Sequence, residues 1–272
     1  MPELPEVETV RNTLKRKVLN KTITRVDILY DKIIKTDLAT FKNNLINQTI
    51  IDIERKGKYL LFKLNDYYLI SHLRMEGKYS LKKATDAIEK HTHVIFHFAD
   101  DTELRYLDVR KFGTMHLKPI EKVYMGEPLE KLGLEPFDEG FTVAYLKSKF
   151  TGNRPIKNVL LDQEIIAGLG NIYVNEILFL AKLHPEKPVN QLTEQNLMDI
   201  IEASKVTLEK AIKLGGTTIR SYTSDDNVTG RFQNELLVHG KVNEPCPVCQ
   251  TPIIKIKVSG RGTYLCPHCQ KL

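Results

Sequence analysis

The sequence lacks any apolar run that could cross a membrane and any apolar core behind its N-terminus. Its longest apolar stretches, such as 59–62 and 177–181, fall far short of the roughly 20 residues that a bilayer span requires. The opening residues 1–6, MPELPE, contain two glutamates where a secretory signal would be apolar. We therefore expect a cytoplasmic protein that has no membrane partner.

Low-complexity tracts and internal repeats are also missing. Apolar residues make up 42% of the chain and charged residues 27%, which is typical of globular proteins and excludes a disordered one. A length of 272 residues allows two domains at the usual size of roughly 100 to 200 residues. The net charge of +6 favours an anionic partner only slightly, because many proteins of similar charge bind no nucleic acid.

Cysteine is scarce and confined to the C-terminal end of the chain. Two C-x-x-C pairs, separated by residues 250–265, are formed by Cys246, Cys249, Cys266 and Cys269. A cytosolic chain keeps its thiols reduced, and paired C-x-x-C knuckles match a tetrahedral thiolate site, so the pattern predicts zinc rather than disulfides. Four thiolates leave no open coordination position, and we expect one structural zinc ion per chain.

The segment that carries these cysteines is strongly basic. Residues 255–262 form a predicted hairpin, and Glu244 is the single acid beside five basic residues, Lys241, Lys255, Lys257, Arg261 and Lys271. A zinc ribbon of this charge suits binding in a DNA groove. It also suits a ribbon that closes a domain end or contacts another protein.

The N-terminal half is predicted to begin with one helix and to continue with short strands. Val7, Val10, Leu14 and Val18 recur at helical spacing behind Pro5. From residue 22 to 117, alternating or apolar runs are separated by polar breaks, which predicts an antiparallel sandwich or barrel. These runs are 24–30, 49–54, 59–64, 68–73, 92–98, 103–107 and 114–117. The charged stretch 82–90 matches no motif.

A segment rich in glycine and proline, residues 125–140, is the candidate linker between two domains. It divides an N-terminal domain of residues 1–124 from a C-terminal domain of residues 141–235, and the zinc element occupies residues 236–272. Helical periodicity after the linker predicts helices at 142–150, 171–181 and 193–214. A polar loop follows at about 215–231.

Two weaker signals each stand in front of a predicted helix. Gly168 and Gly170 precede Asn171, which could cap a helix that begins one residue later, and such a turn either binds a phosphate or is only a turn. Removal of Met1 would expose the secondary amine of Pro2, and a partly unprotonated α-amino group can attack a sugar carbon. On general grounds the same residues are more readily explained as an ordinary helix start.

Five motifs, in order along the chain, carry a resemblance to a known family. They are PELPEVETV at 2–10, GKYL at 57–60, HLRM at 72–75, DVRKFG at 108–113 and GLGNIY at 168–173, and the four-cysteine tail with Arg261 follows them. Through their order, spacing and extent, the chain resembles bacterial formamidopyrimidine-DNA glycosylase from end to end.

The resemblance implies an α+β multidomain fold. It consists of an N-terminal helix with an antiparallel β-sandwich, a helical domain with a helix–two-turn–helix module near Asn171, and a four-cysteine zinc finger.

The implied activity is that of a bifunctional base-excision repair enzyme, which flips oxidised purines such as 8-oxoguanine and formamidopyrimidines out of duplex DNA. The enzyme then cleaves the abasic strand by β,δ-elimination through a Schiff base. We expect a monomer in the bacterial cytoplasm, associated with the nucleoid and with double-stranded DNA as its partner.

The resemblance assigns four catalytic residues. Pro2 corresponds to the Schiff-base nucleophile, and Glu3 corresponds to the acid/base that assists base release and sugar opening. Lys58 corresponds to the proton donor of β-elimination. Arg261 corresponds to the zinc-finger residue that takes part in δ-elimination and contacts a phosphate.

Further residues match the family's contacts with DNA and with the lesion. Met75, Arg110 and Phe112 match a trio that enters the base stack, where Met and Phe can fill an apolar gap and Arg can hydrogen-bond the orphaned base. The other predicted DNA contacts are His72, His91, Arg154, Lys157 and Asn171. The predicted lesion pocket consists of Glu6, Thr217, Ser221 and Tyr222, the last three in a loop that would cover the extruded base.

Two other functions fit part of the sequence. An endonuclease VIII-type enzyme for oxidised pyrimidines would share the proline and the helical module, but it characteristically has glycine where Leu4 stands and lacks the pair Arg110 and Phe112. A non-catalytic zinc-ribbon protein would bind nucleic acid through the basic finger and the glycine turn, and it would never form a covalent adduct. The sequence favours the oxidised-purine enzyme.

Overall fold

The computed structural model describes the chain except for residues 218–229, and this described chain divides into two compact units. Unit 1 contains Met1–Glu130 together with Thr217 and Gly230, and unit 2 contains the remainder. The division lies inside the predicted linker, residues 125–140. No helix in the described part is both long and apolar enough to span a bilayer.

Unit 1 combines one long N-terminal helix with two four-stranded antiparallel sheets. In chain order its elements are α1 (Leu4–Val18), β1 (Ile23–Ile28), α2 (Leu38–Leu45), β2 (Asp52–Lys56), β3 (Tyr59–Lys63), β4 (Tyr67–His72), β5 (Lys78–Lys83), β6 (Thr92–Phe98), β7 (Thr102–Leu107) and β8 (Thr114–Pro119). One sheet has the order β1-β6-β7-β5 and the other β2-β3-β4-β8. This arrangement confirms the predicted N-terminal helix and antiparallel sandwich.

Both sheets and α1 contribute to one hydrophobic core, which contains Val10 from α1, Leu60 and Met115 from one sheet, and Phe96 and Leu104 from the other. Side chains on a strand point alternately to its two faces, so each sheet can bury one face in this core. The helix packs its valine and leucine stripe on the same core, as its spacing predicts.

Two elements of unit 1 have no counterpart in the sequence prediction. β5 has the sequence KYSLKK, in which the lysines obscure the inward positions Tyr79 and Leu81. α2 covers only eight residues, and its clearest signal is Asp37, whose carboxylate accepts the Thr40 N–H at 2.8 Å.

The charged stretch 82–90 is held against its sheet by Arg105. This side chain is fully buried on β7, and its guanidinium donates to the carbonyl oxygens of Asp86 and Ala87, each at 2.7 Å. Glu103 forms an ion pair with it at 2.7 Å. The backbone of the stretch is therefore fixed by a core residue, while the side chains of residues 83–90 are exposed.

Unit 2 is helical and ends in a two-stranded hairpin. Its elements are α3 (Val143–Lys149), α4 (Ile156–Leu160), α5 (Asn171–Leu180), α6 (Glu194–Lys213), β9 (Ile254–Val258) and β10 (Arg261–Leu265). The three predicted helices are present with shifts of one residue at their ends, and Thr193 caps α6. The short α4 follows Pro155 and was not predicted. At α5 the prediction is wrong in one detail, because Gly170 is the N-cap and Asn171 is already helical.

The hairpin of unit 2 turns through Ser259 and Gly260, which both have positive φ values, 46° and 81°. Two positive φ values are typical of the type I′ turn, whose twist matches that of the two strands it joins. The turn places Arg261 at the start of β10 with its side chain exposed.

Candidate functional site

The start of α1 brings together three residues that the sequence assigns to the active site. Glu3 and Glu6 form a reciprocal capping box, in which the Glu3 N–H donates to Glu6 Oε2 at 2.9 Å and the Glu3 carboxylate accepts the Glu6 N–H. Both carboxylates are buried, and Pro2 is buried beside them. Free backbone N–H groups at a helix start stabilise carboxylates there.

The α-amino group of Met1 lies in the same environment. Burial lowers the pKa of this amine, the carboxylates of Glu3 and Glu6 raise it, and the charges of Lys58 and Arg110 lower it, with a net pKa below the usual value. A lower pKa increases the unprotonated, nucleophilic fraction at neutral pH. While Met1 is attached, the Pro2 nitrogen is an amide and is not nucleophilic. Removal of Met1 transfers the terminal amine to Pro2.

Lys58 is presented by the tight turn between β2 and β3. Gly57 provides a positive φ of 56° in this turn, and Lys58 itself is buried, with 6% exposure. Arg55 donates to the carbonyl oxygen of Gly57 at 2.9 Å and to Glu8 at 3.0 Å. The pair of Glu8 and Arg55 therefore connects α1 to the turn that carries Lys58.

The predicted lesion pocket is described only in part. Glu6 Oε1 accepts both the N–H and the hydroxyl of Thr217, at 2.8 and 3.1 Å, so these two predicted residues are in contact. Ser221 and Tyr222 lie outside the described residues.

The predicted trio of stack-entering residues is exposed on two turns of unit 1. Met75 follows β4, and Arg110 and Phe112 lie between β7 and β8. The exposed fraction is 37% for Met75 and 52% for Phe112, values that distinguish them from core residues. The guanidinium of Arg110 lies 4.7 Å from the centre of the Phe112 ring, a cation–π distance.

His72 and His91 lie beside these turns. His72 is buried, and its Nδ1 accepts the N–H of Arg74 at 2.9 Å. Burial, together with the charges of Arg74 and Lys58, lowers the pKa of His72 to about 3, so the ring is neutral at physiological pH. The carbonyl oxygen of His91 accepts the N–H of Asp108 at 3.0 Å.

In unit 2, Lys157 and Asn171 both bind the backbone next to Arg261. Lys157 is fully buried, and its ammonium donates to Asn175, to the Gly262 carbonyl oxygen and to the Thr263 hydroxyl at 3.0, 3.2 and 2.7 Å. Asn171 Nδ2 donates to the same carbonyl oxygen at 3.1 Å.

Two features of these predicted DNA contacts bear on their chemistry. Asn171 Oδ1 is buried, and it has no hydrogen-bond partner among the described residues. Arg154 is half exposed and pairs with Asp162 at 3.0 Å. The roles of Arg154, Lys157 and Asn171 in DNA binding stay predictions.

Sequence reasoning missed a buried polar group that joins α5 to the segment before the zinc cysteines. The Glu176 carboxylate accepts the N–H groups of Leu237, Val238 and His239 at 2.7, 3.1 and 2.8 Å. Asn175 Nδ2 donates to Nδ1 of His239 at 2.8 Å. The only sequence signal was an amide and an acid inside the otherwise apolar run NIYVNEILFL.

The four cysteines converge at the C-terminus of unit 2. Their sulfur atoms all lie within 4.8 Å of one another, and those of Cys249 and Cys266 are 3.4 Å apart. Tetrahedral zinc thiolates with Zn–S near 2.3 Å place sulfur atoms about 3.8 Å apart. The N–H groups of Val248 and Cys269 donate to the sulfurs of Cys246 and Cys266, each at 3.4 Å. The donor set fits one structural zinc ion.

Three known domains match the chain in succession. Residues 1–115 match the formamidopyrimidine-DNA glycosylase N-terminal domain, residues 132–223 match the formamidopyrimidine-DNA glycosylase H2TH domain, and residues 243–272 match a zinc finger found in FPG and IleRS.

The chain is similar to curated proteins and to solved structures over its whole length. The formamidopyrimidine-DNA glycosylase of Oceanobacillus iheyensis is 53% identical over 99% of this chain and 98% of its own, and that of Shouchella clausii is 51% identical over 99% of both. An FPG variant of Lactococcus lactis, solved with Fapy-dG-containing DNA, matches with a TM-score of 0.93 at 45% identity over 100% of both chains. Lactococcus lactis Fpg with abasic-site DNA matches with the same score and identity over 99% of this chain and 100% of its own.

Proposed function

The chain belongs to the formamidopyrimidine-DNA glycosylase family, and we propose that it excises oxidised purines from duplex DNA and cleaves the abasic strand that remains. The observation that carries this proposal is the buried start of α1, where the terminal amine shares one environment with the carboxylates of Glu3 and Glu6 and the charge of Lys58. After removal of Met1, the Pro2 amine would lie next to these buried carboxylates, and an amine beside proton-transferring groups is suited to attack on a sugar carbon.

We infer the following chemistry for the chain without Met1. The Pro2 amine forms a bond to the anomeric carbon of the flipped nucleotide, and the glycosidic bond breaks as the base leaves with a proton supplied by the acid/base Glu3. Glu3 then takes the proton that the bound amine loses and passes it to the ring oxygen; the bond between that oxygen and the anomeric carbon breaks, the oxygen stays on the sugar as a hydroxyl, and an iminium ion forms on Pro2. The iminium ion makes the adjacent sugar C–H acidic; loss of that proton eliminates the 3′ phosphate, to which Lys58 supplies a proton, and a second proton loss eliminates the 5′ phosphate, the step assigned to Arg261, which leaves two strand ends. Water releases the sugar fragment and restores the amine.

The other parts of the chain support binding. The zinc ion holds the finger in its fold, and the exposed Met75, Arg110 and Phe112 suit entry into the space that the flipped nucleotide leaves. Because the substrate is chromosomal DNA, we infer that the protein works in the bacterial cytoplasm at the nucleoid.

Borohydride trapping on a duplex with one oxidised guanine tests this proposal. Protein with a free Pro2 should form a covalent adduct, and protein that retains Met1 or carries an N-terminal tag should bind the lesion without forming one. An adduct from the blocked protein would identify a lysine, such as Lys58, as the nucleophile and contradict the mechanism. Affinity without any adduct from either form would favour the non-catalytic zinc-ribbon protein. A preference for a duplex with an oxidised pyrimidine would favour the endonuclease VIII-type enzyme.

A further inference from the structure

We propose that Tyr106 is a positioning residue that holds the turn of Met75 and the turn of Phe112 in one fixed arrangement before DNA binds. The inference rests on the proposed function, which assigns Met75, Arg110 and Phe112 to the base stack. Tyr106 itself lies in the core of unit 1 with no exposed surface. It is therefore out of reach of any DNA and can act only through the turns.

The two turns meet at the hydroxyl oxygen of Tyr106. Gly77 closes the turn after β4, and Gly113 closes the turn before β8. A methyl group on Gly77 would lie 2.2 Å from Tyr106 Oη, and one on Gly113 would lie 1.7 Å from it. Both distances are far below van der Waals contact, so each turn packs its bare backbone against the same oxygen atom.

The first turn is also held from within. The Gly77 N–H donates to the carbonyl oxygen of Leu73 at 2.9 Å. Arg74 has a positive φ of 53°, and its N–H donates to Nδ1 of His72 at 2.9 Å. The backbone on both sides of Met75 is thereby fixed.

The second turn is organised by the buried carboxylate of Asp108. Its oxygens accept the N–H groups of Arg110, Phe112 and Gly113 at 3.0, 2.9 and 2.8 Å. The Tyr106 hydroxyl donates to the same carboxylate over a longer distance, 3.4 Å. Tyr106 therefore contacts the group that shapes the second turn as well as the glycine that closes it.

The core fixes the position of the Tyr106 ring. It packs against Tyr79 with 5.2 Å between ring centres, and the Tyr79 hydroxyl donates to Ser71 Oγ at 2.8 Å. Because the Tyr106 ring is fixed under the two turns, the conformational entropy of the turns is lost when the protein folds and not when it binds DNA. The expected consequence is discrimination according to the base opposite the lesion, because Arg110 is held where it would meet that base.

Tyr106→Phe tests the inference, and Tyr79→Phe is the matched control. Both changes remove one hydroxyl from the same aromatic cluster, but the Tyr106 hydroxyl lies against the glycines of both turns, whereas the Tyr79 hydroxyl donates to Ser71 on β4. In the free protein, the rate of hydrogen exchange should be measured for peptides covering 73–77 and 108–113. This rate should rise about 3- to 10-fold in Tyr106→Phe, the factor for one lost buried hydrogen bond. It should stay unchanged in Tyr79→Phe. Preference among the four bases opposite the lesion should fall by a similar factor, while trapping at a preformed abasic site with saturating protein stays constant.

A double-mutant cycle adds a test of the contact itself. Gly113→Ala should raise the hydrogen exchange of both turns. The rise should be smaller in the Tyr106→Phe background, because the oxygen that the added methyl group would overlap is gone. Unchanged exchange in Tyr106→Phe, or an equal rise in Tyr79→Phe, would overturn the positioning role. Raised exchange with unchanged base preference would overturn the link to discrimination. If Arg110→Ala also leaves that preference unchanged, the stack assignment in the proposed function fails, while the exchange data still decide the role of Tyr106.

Discussion

Glu6 and Thr217, which lie 211 positions apart in the sequence, are joined through one carboxylate oxygen that accepts both the N–H and the hydroxyl of the threonine. The other oxygen of the carboxylate caps α1 by accepting the N–H of Glu3 at 2.9 Å. A single buried side chain thus connects the helix start that carries the predicted acid/base to a residue of the predicted lesion-covering loop. Such charge-assisted bonds are among the stronger ones in proteins.

We expect Glu6→Ala to slow excision of an oxidised purine about tenfold, the effect of one lost hydrogen bond to a charged group. Cleavage of a preformed abasic site, which needs no base recognition, should fall less. Single-turnover assays on both substrates measure the difference. Thr193→Ala removes the equivalent capping box of α6 and serves as control, with a stability loss of about 1 kcal/mol and no selective effect. Equal losses on both substrates in Glu6→Ala would contradict the role in the lesion pocket.

Lys157→Met should weaken binding to damaged and undamaged duplexes alike. The change removes a buried hydrogen-bond donor from the Gly262 carbonyl oxygen and from Asn175, which should lower the free energy of unfolding by about 2 to 3 kcal/mol. It also loosens the backbone next to Arg261. Fluorescence anisotropy at several salt concentrations measures the affinities. Lys147→Met removes the same charge from an exposed ion pair with Glu194 and should have little effect. A loss confined to damaged DNA would refute this prediction.

Zinc removal should unfold the finger before it affects unit 1. Cys249→Ser leaves three thiolates, and a hairpin of this size cannot form a stable core without its metal. Elemental analysis should give one zinc per chain for the unchanged protein and for His268→Ala, an exposed neighbour of the ligands, but less for Cys249→Ser. Chelation should lower DNA affinity in parallel. Active protein without zinc would disprove the assignment.

Acid should destabilise unit 1 through His72. Its pKa is about 3 in the folded protein, lowered mainly by burial, and about 6.5 when unfolded. Only the unfolded chain binds the proton between these values, so stability is full above about pH 6.5 and declines by a few kcal/mol as the pH falls toward 3. Urea unfolding at pH 7 and pH 5 should show this decline.

His72→Asn tests the assignment, because the Asn oxygen can accept the Arg74 N–H without titrating. The variant should lose less stability between pH 7 and pH 5 than the unchanged protein. His184→Asn is the matched control, since His184 Nδ1 accepts the Glu186 N–H at 3.2 Å in the same local pattern at a more exposed position. An unaltered acid dependence in His72→Asn would show that another group is responsible.

Local patterns made much of the fold predictable, and non-local contacts account for most of what was missed. The C-x-x-C pairs and the 3.6-residue period of α1, α5 and α6 need only their own sequence to be recognised. β5 was missed because three lysines mask two inward side chains. Among the groups that support the site, Glu176 is one of two polar residues in the apolar run NIYVNEILFL, and Tyr106 and Asp108 lie among charged residues in LRYLDVRK. Their partners are backbone groups and glycines that only the folded chain brings together, so spacing alone could not identify them.

The guanidinium of Arg105 holds the backbone of the stretch 83–90 at Asp86 and Ala87 from inside the sheet. Apart from Asp86, whose carboxylate accepts the Lys83 N–H at 2.9 Å, the exposed side chains of this stretch carry little structural information. Their identities can be exchanged with small effect on the fold. Ile88, which is 60% exposed, is accordingly a suitable position for a cysteine-linked spin label or fluorophore. Attached there, a probe reports distances to a labelled oligonucleotide from a fixed point of unit 1, without touching the residues that we assign to chemistry.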